Sequence, residues 1–298
     1  MVEYLLGLGV LVAVYAINAV SLNLQVGVTG LMNFGQVAFV GIGGYSVAIC
    51  GRYGLGWITG FIVGAVLAGA FGAAVGRLGR TLASDYWAIA TLALAELIRL
   101  VVLNQDRLTG GPQGIGDITG VWGNLSGPAR GVATLATVGV LLVVAALIAQ
   151  RLTGGQYGRV LRTIRENQDL AASLGHDVVS AKIRIMALSA ALASISGSFY
   201  AMYISFIGPS QLLPFATFLV FTMVVVGGLG NNLGAVAGAA LIAVLYDVTR
   251  FLPQFIPLSA DQVASLRILV VGVVLLAFLL TRTRGLVPET MRTFDARR

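Results

Sequence analysis

Long apolar stretches, separated by short polar segments, recur along the whole chain. They cover residues of about 5–24, 33–51, 57–76, 86–104, 131–150, 183–206, 215–229, 233–251 and 266–281. Most of them approach the roughly 20 residues that an α-helix needs to cross a bilayer, and none shows the two-residue alternation of a membrane strand. The pattern predicts an all-α polytopic membrane protein with about eight to ten transmembrane helices, some of them broken or re-entrant.

The composition agrees with this prediction. The 298 residues are 57% hydrophobic and only 10% charged, whereas soluble domains carry about 25% charged residues. The 39 glycines are typical of close helix packing and of helix breaks within a membrane. We therefore expect residues 1–298 to form one transmembrane domain. The single cysteine, Cys50, excludes an intrachain disulfide.

The basic residues indicate the topology. Of 19 Lys and Arg residues, 13 lie in three stretches: Arg77 and Arg80; Arg151, Arg159, Arg162, Arg165, Lys182 and Arg184; Arg282, Arg284, Arg292, Arg297 and Arg298. The positive-inside rule predicts that these stretches, including loop 151–182 and the tail 282–298, are cytoplasmic. The N-terminus is then outside if 33–51 crosses the membrane fully and inside if it is re-entrant. The basic residues lack interleaved aromatic residues, so nucleic acid is not an expected partner.

Residues 158–175, in the middle of loop 151–182, form a charged amphipathic segment. We expect Asp169 to cap a short helix over 170–174 and Gly175 to end it in a left-handed conformation. Two interpretations are open. The segment is either an interfacial helix on the anionic inner leaflet or a helix that docks on a soluble partner.

The first two apolar stretches are unusually polar. Amide side chains interrupt them at Asn18, Asn23, Gln25, Asn33 and Gln36, and glycines such as Gly41 and Gly43 flank them. Unpaired amides in lipid cost several kcal/mol, so these side chains should face protein or an aqueous path. Broken helices there can bind a zwitterionic solute through their exposed backbone ends. Helix packing through hydrogen bonds between the amide side chains explains the pattern equally well.

Two charged residues, Glu96 and Arg99, lie one helical turn apart within the stretch 86–104. Ionised residues at that depth are expected to pair or to face a wet interior. We favour a buried structural ion pair over a contact with solute.

Four segments together resemble one family of membrane proteins. They are Gly158-Arg-Val-Leu-Arg-Thr-Ile-Arg-Glu-Asn167 with Ala171 to Gly175, the run from Asn23 to Tyr45, Leu108-Thr-Gly-Gly-Pro-Gln-Gly-Ile115, and the run from Asp85 to Arg99. They are similar to the LivM/LivH family of branched-chain amino acid ABC permeases, and the third segment to its LivM branch. Thr163 stands where the family usually has Ala, Asn33 where it has Ser and Gln36 where it has His; the last two leave the solute open.

The resemblance implies an ABC importer permease fold and an alternating-access mechanism in a bacterial inner membrane. The expected partners are a homologous LivH-type permease, two cytoplasmic ATPase subunits, an extracytoplasmic solute-binding protein and membrane lipid. ATP and Mg²⁺ would bind to the ATPase subunits, and no cofactor or metal is expected on this chain. The solute would be a branched-chain or other amino acid, with urea or short amides as the alternative.

The same resemblance assigns roles to two sets of residues. The residues expected to couple to the ATPase are Arg159, Arg162, Arg165, Glu166, Asp169, Ala171, Ala172 and Gly175. Those expected on the solute pathway are Asn23, Gln25, Asn33, Gln36, Gly41, Gly43 and Tyr45.

Missing motifs narrow the function further. The only lysine, Lys182, is not part of a P-loop, and the only histidine, His176, has no nucleophile near it in sequence. We therefore expect a transporter subunit without catalytic residues, with ATP hydrolysis on separate chains. A stand-alone secondary transporter using Glu96 is the less favoured hypothesis, and a purely structural membrane partner is disfavoured by the polar first stretches.

Overall fold

The computed structural model describes residues 2–79, 84–123, 125–249, 259–282 and 285–289. Twelve α-helices lie within these residues: α1 (Val2–Asn23), α2 (Gln36–Arg52), α3 (Gly56–Leu78), α4 (Ser84–Asn104), α5 (Asp106–Thr109), α6 (Gly127–Gly154), α7 (Gln156–Glu166), α8 (Gln168–Ser173), α9 (Val178–Ile204), α10 (Pro214–Gly227), α11 (Asn232–Val248) and α12 (Ala260–Thr281). The all-α prediction is confirmed. Among the predicted elements, Arg80, the segment 250–258 and the tail residues 283–284 and 290–298 lie outside the described residues.

Nine of these helices follow the nine predicted apolar stretches in order. Six helical stretches are long and apolar enough to cross a bilayer: Val2–Val28, Gly56–Leu78, Tyr86–Asn104, Gly127–Gly154, Val178–Ile204 and Asp261–Thr281. The other three helices, α2, α10 and α11, have 17, 14 and 17 residues. A 14-residue helix is only about 21 Å long, which is shorter than the roughly 30 Å of a hydrocarbon core. The non-helical residues before α10 must therefore supply the rest of the crossing.

The centre of the bundle is built from α1 and α9, which pack against each other and against most of the remaining long helices. Small side chains let α9 approach its neighbours closely. A Cβ atom on Gly43 of α2 would overlap the Ser194 carbonyl of α9, and one on Gly72 of α3 would lie 2.6 Å from the Met186 carbonyl oxygen. Small residues of α9 therefore form a packing face, as they do in membrane helices: Ala187, Ala190, Ser194 and Gly197.

Contacts at the helix ends define two faces of the bundle. Helices α7 and α8 lie on the same face as residues 285–289, because Arg162 of α7 pairs with Glu289. The beginning of α1 lies on the opposite face, where the Tyr4 hydroxyl donates to Asp247 near the end of α11. The stretch Val2–Val28 ends beside α7, where Arg165 binds Gly27. The chain returns to α7 after α2, α3, α4 and α6, so α2 must cross the bundle as these other three helices do. The N-terminus and the 285–289 segment lie on opposite faces.

Two loops are joined on the face that carries the N-terminus. Strand β1 (Ile115–Gly116) pairs antiparallel with strand β2 (Phe206–Ile207), which follows α9. The glycine-rich loop between α4 and α6 is thereby fixed to the segment that leads into α10. This two-residue ladder is the sheet within the described part of the chain.

Candidate functional site

The first transmembrane helix changes its winding at the face that carries α7 and α8. Residues Leu24–Val28 form a π-helix in which every residue is buried. The Thr29 hydroxyl donates to the Leu24 carbonyl at 2.9 Å, and Gly30 follows in a left-handed conformation with φ of 74°. π-Helical turns leave backbone groups free for other partners and are frequent at functional sites. Here the Gly27 carbonyl accepts a hydrogen bond from the Arg165 guanidinium of α7.

Five buried polar side chains join this π-helix to the start of α2. The Asn33 Nδ2 donates to Gln25 Oε1 at 2.7 Å, and the Gln25 Nε2 donates to Gln36 Oε1 at 3.1 Å. The Gln36 Nε2 donates to Asn18 Oδ1 and to Ser21 Oγ, both at 2.9 Å. We call this set (Asn18, Ser21, Gln25, Asn33, Gln36) the amide cluster. Since each member is satisfied by another, the cluster avoids the penalty of buried unpaired amides.

A cavity of about 250 Å³ lies beside the amide cluster, between α1, α2, α9, α10 and the segment before α10. Asn18 and Gln36 supply amide groups to its wall, while Val14, Val40 and Leu219 are among its apolar lining. No Asp, Glu, Lys, Arg or His is among the described residues that line it. An apolar cavity with a few fixed polar groups is typical of a small-molecule site.

Five of the seven predicted pathway residues lie in three environments. Gln36 and Gly41 lie on the cavity wall. Gln25 and Asn33 lie behind Gln36 in the amide cluster, and Asn23 binds Asn232 and the Gly230 amide at 2.9 Å each. For Asn23, Gln25 and Asn33 the geometry therefore matches the second interpretation of the polar stretches, helix packing through hydrogen bonds of amide side chains.

Two more predicted pathway residues pack against neighbouring helices. Gly43 contacts Ser194, and Tyr45 is buried with a hydroxyl that has no hydrogen-bond partner among the described residues. Several wall residues were not selected from the sequence, among them Tyr15, Tyr200 and Thr217. They sit singly on separate helices, so no local motif marks them.

Helices α7 and α8, residues 156–173, form the segment expected to dock on a soluble partner. Leu161 and Ile164 of α7 and Ala171 of α8 are fully buried against the bundle. Arg159, Glu166, Asp169, Ala172 and Gly175 are exposed. Leu170 and Leu174 expose apolar side chains beside them. The segment therefore presents a mixed apolar and charged surface, which we call the docking surface.

The predicted cap of the short helix is wrong by two residues. Asn167, in an extended conformation, is the N-cap of α8: its Oδ1 accepts from the Asp169 and Leu170 amides at 3.0 Å each. Asp169 lies instead in the first turn, where its charge favours the positive helix end. The chain must turn between α7 and α8, and the tertiary packing of α7 fixes that turn at Asn167, two residues earlier than the helical pattern indicates.

The predicted end of α8 is confirmed. Gly175 has φ of 84°, its amide donates to the Ala172 carbonyl, and the His176 amide donates to the Ala171 carbonyl. These two bonds make the Schellman motif that favours glycine. Asp177 then caps α9, and the hydrogen bond from the Ser180 amide holds the pKa of its carboxyl below the usual range.

An acidic residue of the C-terminal segment holds α7 in place. Glu289 Oε1 pairs with Arg162 Nε at 2.7 Å, and Glu289 Oε2 with Arg165 Nη2 at 2.9 Å. The segment itself is bound to the end of α10, where the Leu286 and Val287 amides donate to the Val226 and Gly227 carbonyls at 2.9 Å. Two of the three predicted docking arginines therefore make structural contacts within the chain. No motif marks Glu289, although it is the one acidic residue between Arg282 and Arg292 in the sequence.

The predicted ion pair forms, but it is not buried within this chain. Arg99 Nε lies 2.9 Å from Glu96 Oε2 and 3.0 Å from Glu96 Oε1. The side chains of Glu96 and Arg99 remain 39% and 20% exposed. The three-residue spacing on α4 brings the two side chains together. Whether they are buried depends on how α4 packs on the bundle, and the spacing does not show this.

These features define a polytopic helical membrane protein with an exposed, mixed apolar and charged surface on one face. The model of the family described as "Branched-chain amino acid transport system / permease component" matches residues 4–279. The chain belongs to this family of ABC transport permeases.

Individual relatives agree with this assignment. The chain is 29% identical to the high-affinity branched-chain amino acid transport system permease protein LivM of Escherichia coli (strain K12), over 94% of this chain and 69% of the relative. It is 28% identical to the probable branched-chain amino acid transport permease protein LivM of Methanocaldococcus jannaschii, over 92% of this chain and 90% of the relative. No solved structure matches the chain.

Proposed function

We propose that this permease works with a second, homologous permease, two ATPase subunits and an extracytoplasmic solute-binding protein to import branched-chain amino acids. The names of the relatives support the solute class. The contact that carries the proposal is the bond from Arg165 to the Gly27 carbonyl, because it joins the docking surface to a transmembrane helix.

The docking surface is suited to an ATPase subunit. It is exposed, it combines leucines with charged groups, and its inner face is anchored by the Glu289 ion pairs. A rigidly anchored segment can transmit the displacement of an ATPase subunit to the bundle. A loosely attached loop would move without displacing the transmembrane helices. Residues 156–177 and the 285–289 segment then face the cytoplasm, and the N-terminus lies outside a bacterial inner membrane.

A chain of contacts leads from the docking surface to the cavity. Arg165 binds the π-helix at Gly27, the π-helix carries Gln25, and Gln25 binds Gln36 on the cavity wall. Closure of the ATPases would displace α7, and this displacement would reach Gln36 through two hydrogen bonds and the π-helix between them. Rocking of the bundle around the cavity is the alternating-access step that we infer.

The cavity suits an amino acid with an aliphatic side chain. Its apolar wall can bury the side chain, while Asn18 and Gln36 offer both donors and acceptors to the carboxylate and ammonium groups. The lack of charged lining among the described residues favours a solute with no net charge. A neutral zwitterion with a branched side chain meets both conditions.

The experiment that tests this proposal is purification of the tagged permease together with the chains encoded beside it, followed by reconstitution into liposomes. We expect ATPase subunits to co-purify and leucine uptake to require ATP and the binding protein. Leucine uptake by the permease alone, driven by an ion gradient, would refute the proposal in favour of a secondary transporter.

A further inference from the structure

The outward face of α4 combines exposed apolar side chains with an ion pair. Exposed residues that repeat at spacings of four and three are Tyr86, Ala90, Ala93, Leu97 and Leu100, and Ile89, Val101 and Asn104 are exposed beside them. We call the five regularly spaced residues the α4 seam. Their spacing is the one with which one helix packs along another. Two alanines in its middle would let a second backbone approach closely.

The ion pair of Glu96 and Arg99 borders the α4 seam. Glu96 lies eight residues before the end of α4 at Asn104, which places it about 12 Å inside the helix end. The Glu96 side chain is 39% exposed, and the Arg99 Nη1 has no hydrogen-bond partner among the described residues. Charged groups at such depth face protein or water rather than lipid, because lipid cannot satisfy their remaining hydrogen bonds.

Another charge within a membrane-length helix shows the contrast. Arg267 lies seven residues into α12, and its guanidinium contacts groups of this chain, the Thr249 hydroxyl at 3.0 Å and the Tyr246 ring at 5.1 Å. Among the residues that the structure describes, Glu96 and Arg99 form hydrogen bonds only with each other. Their outer sides thus lack the protein surroundings that Arg267 has.

We propose that the α4 seam is the surface on which the second permease subunit packs, with Glu96 and Arg99 enclosed at its border. This inference rests on the proposed function, which requires a second permease, and adds where that subunit sits. The α4 helix also packs on residues Pro209–Leu212, whose Leu212 lines the cavity, so the interface lies next to the solute cavity. A rearrangement between the two permeases would therefore reach the cavity wall directly.

Site-specific photo-cross-linking in the purified complex tests the inference. The photoreactive residue benzoylphenylalanine replaces Leu97 of the α4 seam in one variant and Val143 of α6 in the control. The two positions are matched, with 57% and 58% exposure in the middle of long apolar helices. We expect the Leu97 variant to give an adduct with the second permease, identified by mass spectrometry, and the Val143 variant to give adducts with lipid only.

The outcomes separate this inference from the proposed function. Permease adducts from position 143, with lipid adducts alone from position 97, would overturn the α4 interface and leave the importer intact. A purified, transport-active complex without a second permease would refute both. Both substitutions replace exposed side chains, so misfolding does not obscure the comparison.

Discussion

Arg165 and Glu289 are 124 residues apart in sequence, yet their side chains form an ion pair with 2.9 Å between Nη2 and Oε2. The same guanidinium also binds the Gly27 carbonyl through its other terminal nitrogen. One arginine thus joins α7, the 285–289 segment and the π-helical end of the first transmembrane helix. A planar guanidinium can make these contacts at once because its donors point in several directions.

Replacing Arg165 should therefore uncouple ATP hydrolysis from transport. We expect Arg165→Ala to lower ATP-driven leucine uptake at least tenfold while the complex still hydrolyses ATP, because docking persists and the link to α1 is lost. Arg165→Lys should fall between, since an ammonium group lacks the fork. The matched control is Arg151→Ala, an exposed arginine on the same face. Equal loss of hydrolysis and uptake would contradict the role of Arg165 as a link.

The cap of α8 gives a second prediction. Asn167→Ala should destabilise α8 by about 1 kcal/mol, because the Asp169 and Leu170 amides lose their acceptor. Hydrogen exchange at those amides should accelerate about fivefold, and Asn167→Ser should restore most of the protection. Asp169→Ala should have the smaller effect. A larger effect at Asp169 would show that the cap lies where the sequence pattern placed it.

The amide cluster gives a third. Gln36→Leu removes one acceptor oxygen and an amide nitrogen that donates two hydrogen bonds, and each buried group left unpaired costs roughly 1–3 kcal/mol. We expect a marked fall in the thermal midpoint of the detergent-solubilised protein. Gln211→Leu, at another amide on the cavity wall, breaks one bond to the Gly208 amide and should shift the midpoint little. Similar shifts in both variants would argue against a shared cluster.

Close packing of α2 on α9 gives a fourth. Gly43→Ala places a methyl group against the Ser194 carbonyl, so we expect a loss of about 1–3 kcal/mol or failure to accumulate in the membrane. Gly139→Ala on α6 is the control, because no heavy atom lies within 4 Å of the added Cβ. Stable Gly43→Ala protein with an unchanged midpoint would mean that the two helices are not in close contact.

Local sequence determines some features of this protein, and packing in the bundle determines others. The nine apolar stretches and the left-handed Gly175 follow from local composition, and both were predicted correctly. The cap at Asn167 and the exposure of Glu96 depend on how a helix is placed in the bundle. The Glu289 ion pairs depend on contacts across more than a hundred residues, and spacing along the chain carries no signal for them.

The resemblance to a permease family indicated the polar first stretches and α7–α8 as functional regions. It did not separate the roles of individual residues, because a buried amide and a solute-binding amide look alike in sequence. Gln36, the first residue of α2, lines the cavity, whereas Asn33, three residues before it, donates to Gln25.

The central claim is that the α7–α8 surface docks a cytoplasmic ATPase, and thiol labelling of Ser173→Cys in a Cys50→Ser background tests it most directly. Ser173 is exposed at the end of α8. We expect an impermeant maleimide to label this cysteine in inverted vesicles and not in intact cells, and purified ATPase subunits to protect it. Labelling in intact cells, or labelling of inverted vesicles that the ATPase leaves unchanged, would contradict the claim.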